Sequence, residues 1–297
     1  MRGMTSPWTE IADRVLVRRY RVFDQNIVAV LGHGDEALIL DTRSTYRHAR
    51  EVIEDLRALG SPRVAAVVNS HGHFDHALGN RIFRPAPIWG HERCAVMLDP
   101  ATSTQLELAT SELDPEDVAD LGEVELDPPD RVFAEGATVE VGGRIVELAY
   151  LGRGHTDNDI VLVVPDADVL CAGDLLENGA APNFGDGFPM DWPATLVALL
   201  ARTGPSTVVV PGHGDHAGRA FVEASLADIR AIADLATRVH AGSLDLEAAV
   251  AAAPYPPGDA VEPLERALWQ LRGAPDQDAG LVRRAAPAPA APAPGRR

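Results

Sequence analysis

Within six consecutive positions, His71-Gly72-His73-Phe74-Asp75-His76, the chain offers three imidazoles and a carboxylate. Nitrogen and oxygen donors together suit a borderline ion such as zinc. His71 and His73 share parity and can reach one ion, while Asp75 and His76 turn toward a second. The bland alternative is a chance run of polar surface residues, and three later segments weigh against it. His155 lies in Gly152-Arg153-Gly154-His155-Thr156, Asp174 in Cys171-Ala172-Gly173-Asp174-Leu175, and His213 in Pro211-Gly212-His213-Gly214-Asp215.

Each segment adjoins an apolar run of strand length. Residues 64–68 lead into the first, 160–164 follow the second, the third ends a further strand, and 208–210 precede the fourth. Loops at the ends of buried strands let ligands converge while a rigid sheet holds them. Residues 15–17 and 22–23 read as short strands, and 26–31 and 37–40 as a hairpin joined at Gly32-His33-Gly34-Asp35. Residues 45–59 carry helical periodicity closed by Gly60 and Pro62, with His48 on the solvent side. Strands followed by helices, twice over, predict an α/β chain with two sheets face to face and helices outside: a four-layer αββα sandwich.

The ligand segments, in this order, resemble the metallo-β-lactamase superfamily over roughly residues 26–218. The resemblance implies one metal held by His71, His73 and His155 and a second held by Asp75, His76 and His213, with Asp174 bridging both. Asp41, ending the run 37–40, matches the family's buried aspartate, implied to fix a ligand histidine's tautomer. A hairpin at His33 often overhangs the site in this family, which makes His33 a candidate substrate contact; a plain turn residue is the other reading. The segment from Gly154 to Asn158 and Gly173-Asp174-Leu175 look most like zinc β-lactamases that use a cysteine at the position of Asp174 and a drug-binding lysine three residues on. This chain has Asp174 and Glu177 there, and adds His76, so efficient β-lactam hydrolysis is not expected.

At 297 residues and 46% hydrophobic content, the chain is long enough for one large core. A single domain is expected over 1–282, with an acidic insertion near 94–130, a C-terminal helical cap near 217–272 and a disordered Ala/Pro-rich tail at 283–297. The formal charge of −18 argues against nucleic-acid partners. All basic residues are arginine, which points to genome composition rather than chemistry. Two cysteines, Cys94 and Cys171, with no apolar run of signal or transmembrane length, point to a soluble cytoplasmic protein acting on a small molecule. Oligomeric state is left open.

The insertion, free of arginine, reads either as a lid or as a solvated excursion. Phe184, Phe188 and Trp192, in the glycine-rich loop after Asp174, read either as pocket wall or as core. The ligand set implies two zinc ions per chain, iron or manganese remaining open, and a bridging hydroxide attacking an ester, lactone, thioester or lactam carbonyl, with Asp75 relaying its proton. A mononuclear iron persulfide-dioxygenase-like oxidoreductase, a weak promiscuous β-lactamase and a metal-binding scaffold without catalysis are the competing readings.

Overall fold

The computed structural model describes residues 7–273; the Ala/Pro-rich tail at 283–297 lies outside the described residues. Its first half contains strands β1 (Thr9–Ala12), β2 (Val15–Tyr20), β3 (Gln25–Leu31), β4 (Glu36–Leu40), β5 (Arg63–Val68), β6 (Ile88–His91) and β7 (Arg131–Phe133). The second half contains β8 (Gly136–Val141), β9 (Arg144–Tyr150), β10 (Ile160–Val164), β11 (Val169–Asn178) and β12 (Val208–Gly214). Helices are α1 (Tyr46–Asp55), α2 (Phe74–Ala77), α3 (Glu92–Met97), α4 (Gln105–Glu112), α5 (Pro115–Val118), α6 (Trp192–Leu200), α7 (Arg219–His240), α8 (Leu246–Ala252) and α9 (Pro257–Leu271). None of these is long and apolar enough to cross a membrane.

Hydrogen bonding runs unbroken in the order β7-β6-β5-β4-β3-β12-β11-β10-β9-β8. The halves join where β12 meets β3 through one antiparallel pairing, His213 with Gln25. Side chains alternate across each strand, so the two faces bury into different layers. Val28, Val30, Leu38 and Leu40 meet Val146, Leu148, Leu162 and Cys171 between the halves. Ile39 and Val67 instead face Ala49 and Val52 of α1, while Val161 and Leu170 face Leu196 of α6 and Val222 of α7. This is the four-layer αββα sandwich.

Both β4 and β5 run parallel and end on the same edge, which carries Asp41 and the loop beginning at Ser70. Parallel β11 and β12 bring Asp174 and His213 to that edge from the other half. His33 is exposed in the turn between β3 and β4, at the opposite end of both strands. A strand of seven residues separates it from the ligand edge by about 20 Å, so His33 is corrected from a substrate contact to a turn residue. Residues 22–23, expected as strand, lie in a 3-10 turn, Val22–Asp24, with Phe23 and Asp24 at positive φ. Two apolar residues cannot distinguish a strand from the reversal that antiparallel β2 and β3 require.

The acidic insertion forms α4 and α5 and packs Leu106, Leu108, Leu113 and Leu121 against Tyr46, Phe74 and Leu78. Its carboxylates face α1, where Arg47 pairs with Asp117 and Asp120, and Arg50 with Glu123. His48 is therefore not on a solvent face. It is 2% exposed, with Nε2 3.1 Å from Asp117 Oδ1. Helix periodicity finds one buried face and is blind to a second partner arriving from elsewhere in the chain.

Asn80 ties the ligand loop to the insertion. Its Nδ2 donates to Asn69 Oδ1 at 2.8 Å and to the Asp127 carbonyl at 2.9 Å, and its Oδ1 accepts from Asn69 Nδ2 and Thr42 Oγ1. Asn80→Ala leaves buried Asn69 Oδ1 without its donor, while Thr42 Oγ1 and Asn69 Nδ2 keep the His76 carbonyl. It should lower the unfolding free energy by about 1–3 kcal/mol in urea titrations, and an unchanged midpoint would show the network to be dispensable.

Candidate metal centre

The ligand loop turns sharply after β5, and His73 lies just before the four-residue helix α2, which presents Asp75 and His76. Gly72 N donates to Asn158 Oδ1 at 2.9 Å, tying this loop to the His155 turn. Thr156 N donates to Asp159 Oδ2, tightening that turn. Close approach also demands glycine in the second half. A Cβ at Gly212 would sit 1.8 Å from Asp174 Oδ1, and Gly173 holds φ +53° facing Ser70.

Two groups of donor atoms converge. His73 Nδ1 lies 3.0 Å from His71 Nε2 and 2.8 Å from His155 Nε2. In the second group, His76 Nε2 lies 3.2 Å from Asp75 Oδ2 and 3.3 Å from His213 Nε2, and His213 Nε2 lies 3.4 Å from Asp75 Oδ2. Asp174 spans both groups. Its Oδ2 is 3.1 Å from His213 Nε2 and 3.5 Å from His155 Nε2, and its Oδ1 is 3.4 Å from His76 Nε2. All seven residues predicted as ligands are thus brought together.

The outer nitrogen of every one of these rings has its own partner. His155 Nδ1 faces the Asn183 carbonyl at 2.9 Å and His213 Nδ1 the Phe23 carbonyl at 2.7 Å. His73 Nε2 faces Asp186 Oδ2 at 3.0 Å, and His76 Nδ1 faces Asp41 Oδ2 at 2.9 Å. His71 Nδ1 is 3.1 Å from Ser70 Oγ, whose single hydrogen goes to Asp41 Oδ2 at 2.8 Å, so at His71 the hydroxyl accepts. Carbonyl and carboxylate oxygens only accept. The outer nitrogens therefore carry the protons, and in neutral rings the inner nitrogens are bare lone pairs.

Bare lone pairs 2.8–3.0 Å apart repel unless a cation lies between them. Asp174 Oδ1 is buried without a hydrogen-bond partner, which has the same remedy. The donor set fits two ions, each with nitrogen and oxygen ligands. The charges pull against one another in the same way. Burial pushes Asp174 up, but His213, His76 and His71 outweigh it and hold it well below the usual carboxylate range. Burial opposes charge on His213, yet Asp174 and Asp75 bring it up to about 10, while burial and neighbouring His73 push His155 down to about 4.

Asp41 was legible in the sequence, whereas Ser70, Asn183, Asp186 and the Phe23 carbonyl were missed. Ser70 adjoins a ligand and Asp186 lies in the loop after Asp174; a backbone carbonyl leaves no trace in residue type. Phe184 and Trp192 are wholly buried and Phe188 is 7% exposed. Phe184 and Trp192 pack with Leu175, Leu196 and Val222, and Trp192 Nε1 donates to the Leu175 carbonyl. Both are corrected from pocket wall to core, because the loop folds inward beneath His155, with ring centroids of His155 and Trp192 6.1 Å apart. Phe188 is covered by the guanidinium groups of Arg153 and Arg266 and presents little surface to a substrate.

A sequence profile described as the Metallo-beta-lactamase superfamily matches residues 20–213. Over 196 residues the chain is 26% identical to the Metallo-beta-lactamase type 2 of Bacillus cereus, covering 65% of this chain and 68% of that protein. With the protein of the same name from Bacillus sp. (strain 170) it shares 27% over 188 residues, 62% of this chain and 65% of that one. Among solved structures, a metallo-beta-lactamase from Pontibacter korlensis superposes with a TM-score of 0.60 at 21% identity, covering 75% of this chain and 98% of that one. The DIM-1 metallo-beta-lactamase gives 0.60 at 17%, over 75% and 96%; at these identities the likeness is one of fold. The matched stretch ends at His213 and takes in every converging ligand described above, and on that match the chain belongs to the metallo-beta-lactamase superfamily.

Proposed function

We propose that this protein is a dinuclear zinc hydrolase of small acyl substrates: an ester, lactone, thioester or lactam. The observation that carries this reading is the pair of convergent donor groups sharing Asp174, with every outer ring nitrogen already satisfied. His71, His73 and His155 would hold one ion, Asp75, His76 and His213 the other, and Asp174 both. Such a pair supplies a water acidified into the neutral range and a Lewis acid for the carbonyl oxygen.

The chain's own residues do the rest. Asp75 Oδ2 faces the interior of the centre beside His76 and His213. It is the atom placed to take the proton from the nucleophilic water and return it to the leaving group. Asp41 accepts from Ser70 N at 2.7 Å, from Ser70 Oγ, and from His76 Nδ1. One carboxylate thereby fixes the tautomers of both His71 and His76. Lactams stay within the substrate set because the curated relatives carry the name metallo-beta-lactamase; Glu177, in place of the lysine noted above, disfavours them.

The first test is a panel of a chromogenic cephalosporin, a lactone, a thioester and an aryl ester, run on zinc-loaded protein. At least one member should turn over, and Asp75→Ala at equal metal content should lose about 10²-fold or more in kcat; wild-type turnover by that variant would remove Asp75 from the mechanism. Metal analysis of Asp174→Ala should show a fall from about two ions per chain to about one, whereas a single iron in the wild type would favour the dioxygenase reading. Asp41→Asn keeps the shape and tolerates the same positive φ, but turns an amide toward groups that donate. Zinc affinity, measured by chelator competition, should weaken about 10–100-fold, and equal affinity would show that Asp41 does not set the tautomers.

A further inference from the structure

One carboxylate faces the centre without belonging to either convergent group. Glu177 lies three residues beyond Asp174 on β11, with a carboxylate oxygen within 4.8 Å of a His155 ring nitrogen and an Asp174 carboxylate oxygen. It is half-buried, and its Oε1 accepts from Asn183 N at 2.9 Å. Asn183 is the residue whose carbonyl orients His155. The loop that aligns a ligand ring therefore also fixes this carboxylate in place.

On its other side, Glu177 lines a cleft of about 400 Å³ bounded by Pro182, Phe221, Ser225 and Tyr255. Among the described residues, the remaining charged groups of that cleft are Asp228 and Asp259, and no arginine or histidine lines it. Glu177 thus has ligand atoms of the centre within 4.8 Å and is itself part of the cleft lining. A substrate carboxylate beside Glu177 would meet a negative charge with no arginine or histidine among the described cleft residues to pair it, and like charges a few ångströms apart repel strongly in a partly dehydrated site. An ammonium group would gain a charge-assisted hydrogen bond from the same oxygens.

Resting on the hydrolase reading, we infer that Glu177 is the specificity-determining residue of this centre. It selects acyl substrates that place a cationic amine beside the scissile carbonyl, and it rejects those that place a carboxylate there. Discrimination arises from one charge beside the centre, on a residue outside the two convergent groups.

Two short thiols test this without requiring turnover: 2-aminoethanethiol and 3-mercaptopropionate. In both, the sulfur is drawn to the metals and the far end, at a similar reach, meets Glu177. Dissociation constants would be measured by calorimetry on the zinc-loaded full chain, for wild type, Glu177→Gln and Glu177→Lys, with metal content determined for each. Wild type should prefer the amine about tenfold, the order expected of one partly screened charge pair. Glu177→Gln should bring the ratio close to one, and Glu177→Lys should reverse it. An unchanged preference in Glu177→Gln overturns the inference, as does loss of zinc from that variant, which would make Glu177 a ligand. Two bound zinc ions with no preference in the wild type also overturn it while leaving the hydrolase reading standing. A wild type that binds neither zinc nor thiol removes both.

Discussion

Five imidazole rings point their inner nitrogens at one small volume, and the structure depends on keeping them so. A ring can rotate or change tautomer, and either movement would put a proton where a lone pair is needed. Each outer nitrogen is therefore held by an acceptor that cannot donate, or, at Ser70, by a hydroxyl whose hydrogen is already committed. The acceptors come from widely separated parts of the chain: Phe23, Asp41, Ser70, Asn183 and Asp186. Burying this many polar groups is unfavourable unless all are satisfied, and among the carboxylate oxygens of the seven converging residues Asp174 Oδ1 is buried without a hydrogen-bond partner, as a cation ligand would be.

The sandwich architecture follows from that need. No single loop carries the whole ligand set, so two half-sheets must present their ligand-bearing ends to the same edge. They meet at the pairing of His213 with Gln25, and Gln25 also donates from Nε2 to the Asp75 carbonyl. The seam between the halves is thus also the seam between the two ligand groups. Behind the ligand loop, the acidic insertion packs its leucines against Phe74 and Tyr46, and Gln105 Oε1 accepts from Phe74 N at 2.8 Å. It acts as a buttress for α2, held to α1 by arginine pairs whose partly exposed members contribute modestly and by the buried contact between His48 and Asp117.

Charge is distributed unevenly around the centre. Asp75 and Asp174 lie among the ligand nitrogens, Asp186 backs His73, and Glu177 lies within 4.8 Å of a His155 ring nitrogen and an Asp174 carboxylate oxygen. Divalent ions would offset the first two. Glu177 is not needed for either ligand group, and burial together with Asp174 pushes it up to about 7 in the metal-free chain. A carboxylate kept at such a position costs stability, which is the pattern expected of a group retained for recognition.

The sequence by itself determined which seven residues converge, their order, the strand ends that carry them and the layered fold. Those features are local: a histidine beside an apolar run, a glycine turn, alternation along a strand. The tertiary structure decided what depends on meetings across the chain. It placed His33 at the wrong end of the sheet for substrate, because a hairpin's direction is invisible until its strands are paired. It put Phe184 and Trp192 in the core, because apolar rings in a loop after a ligand serve a pocket or a packing layer equally well in one dimension. His48 became buried because a segment some seventy residues distant arrived with a carboxylate to receive it. The outer partners of the rings stayed hidden for the same reason, since a backbone carbonyl carries no signature and acts only through where the fold leaves it.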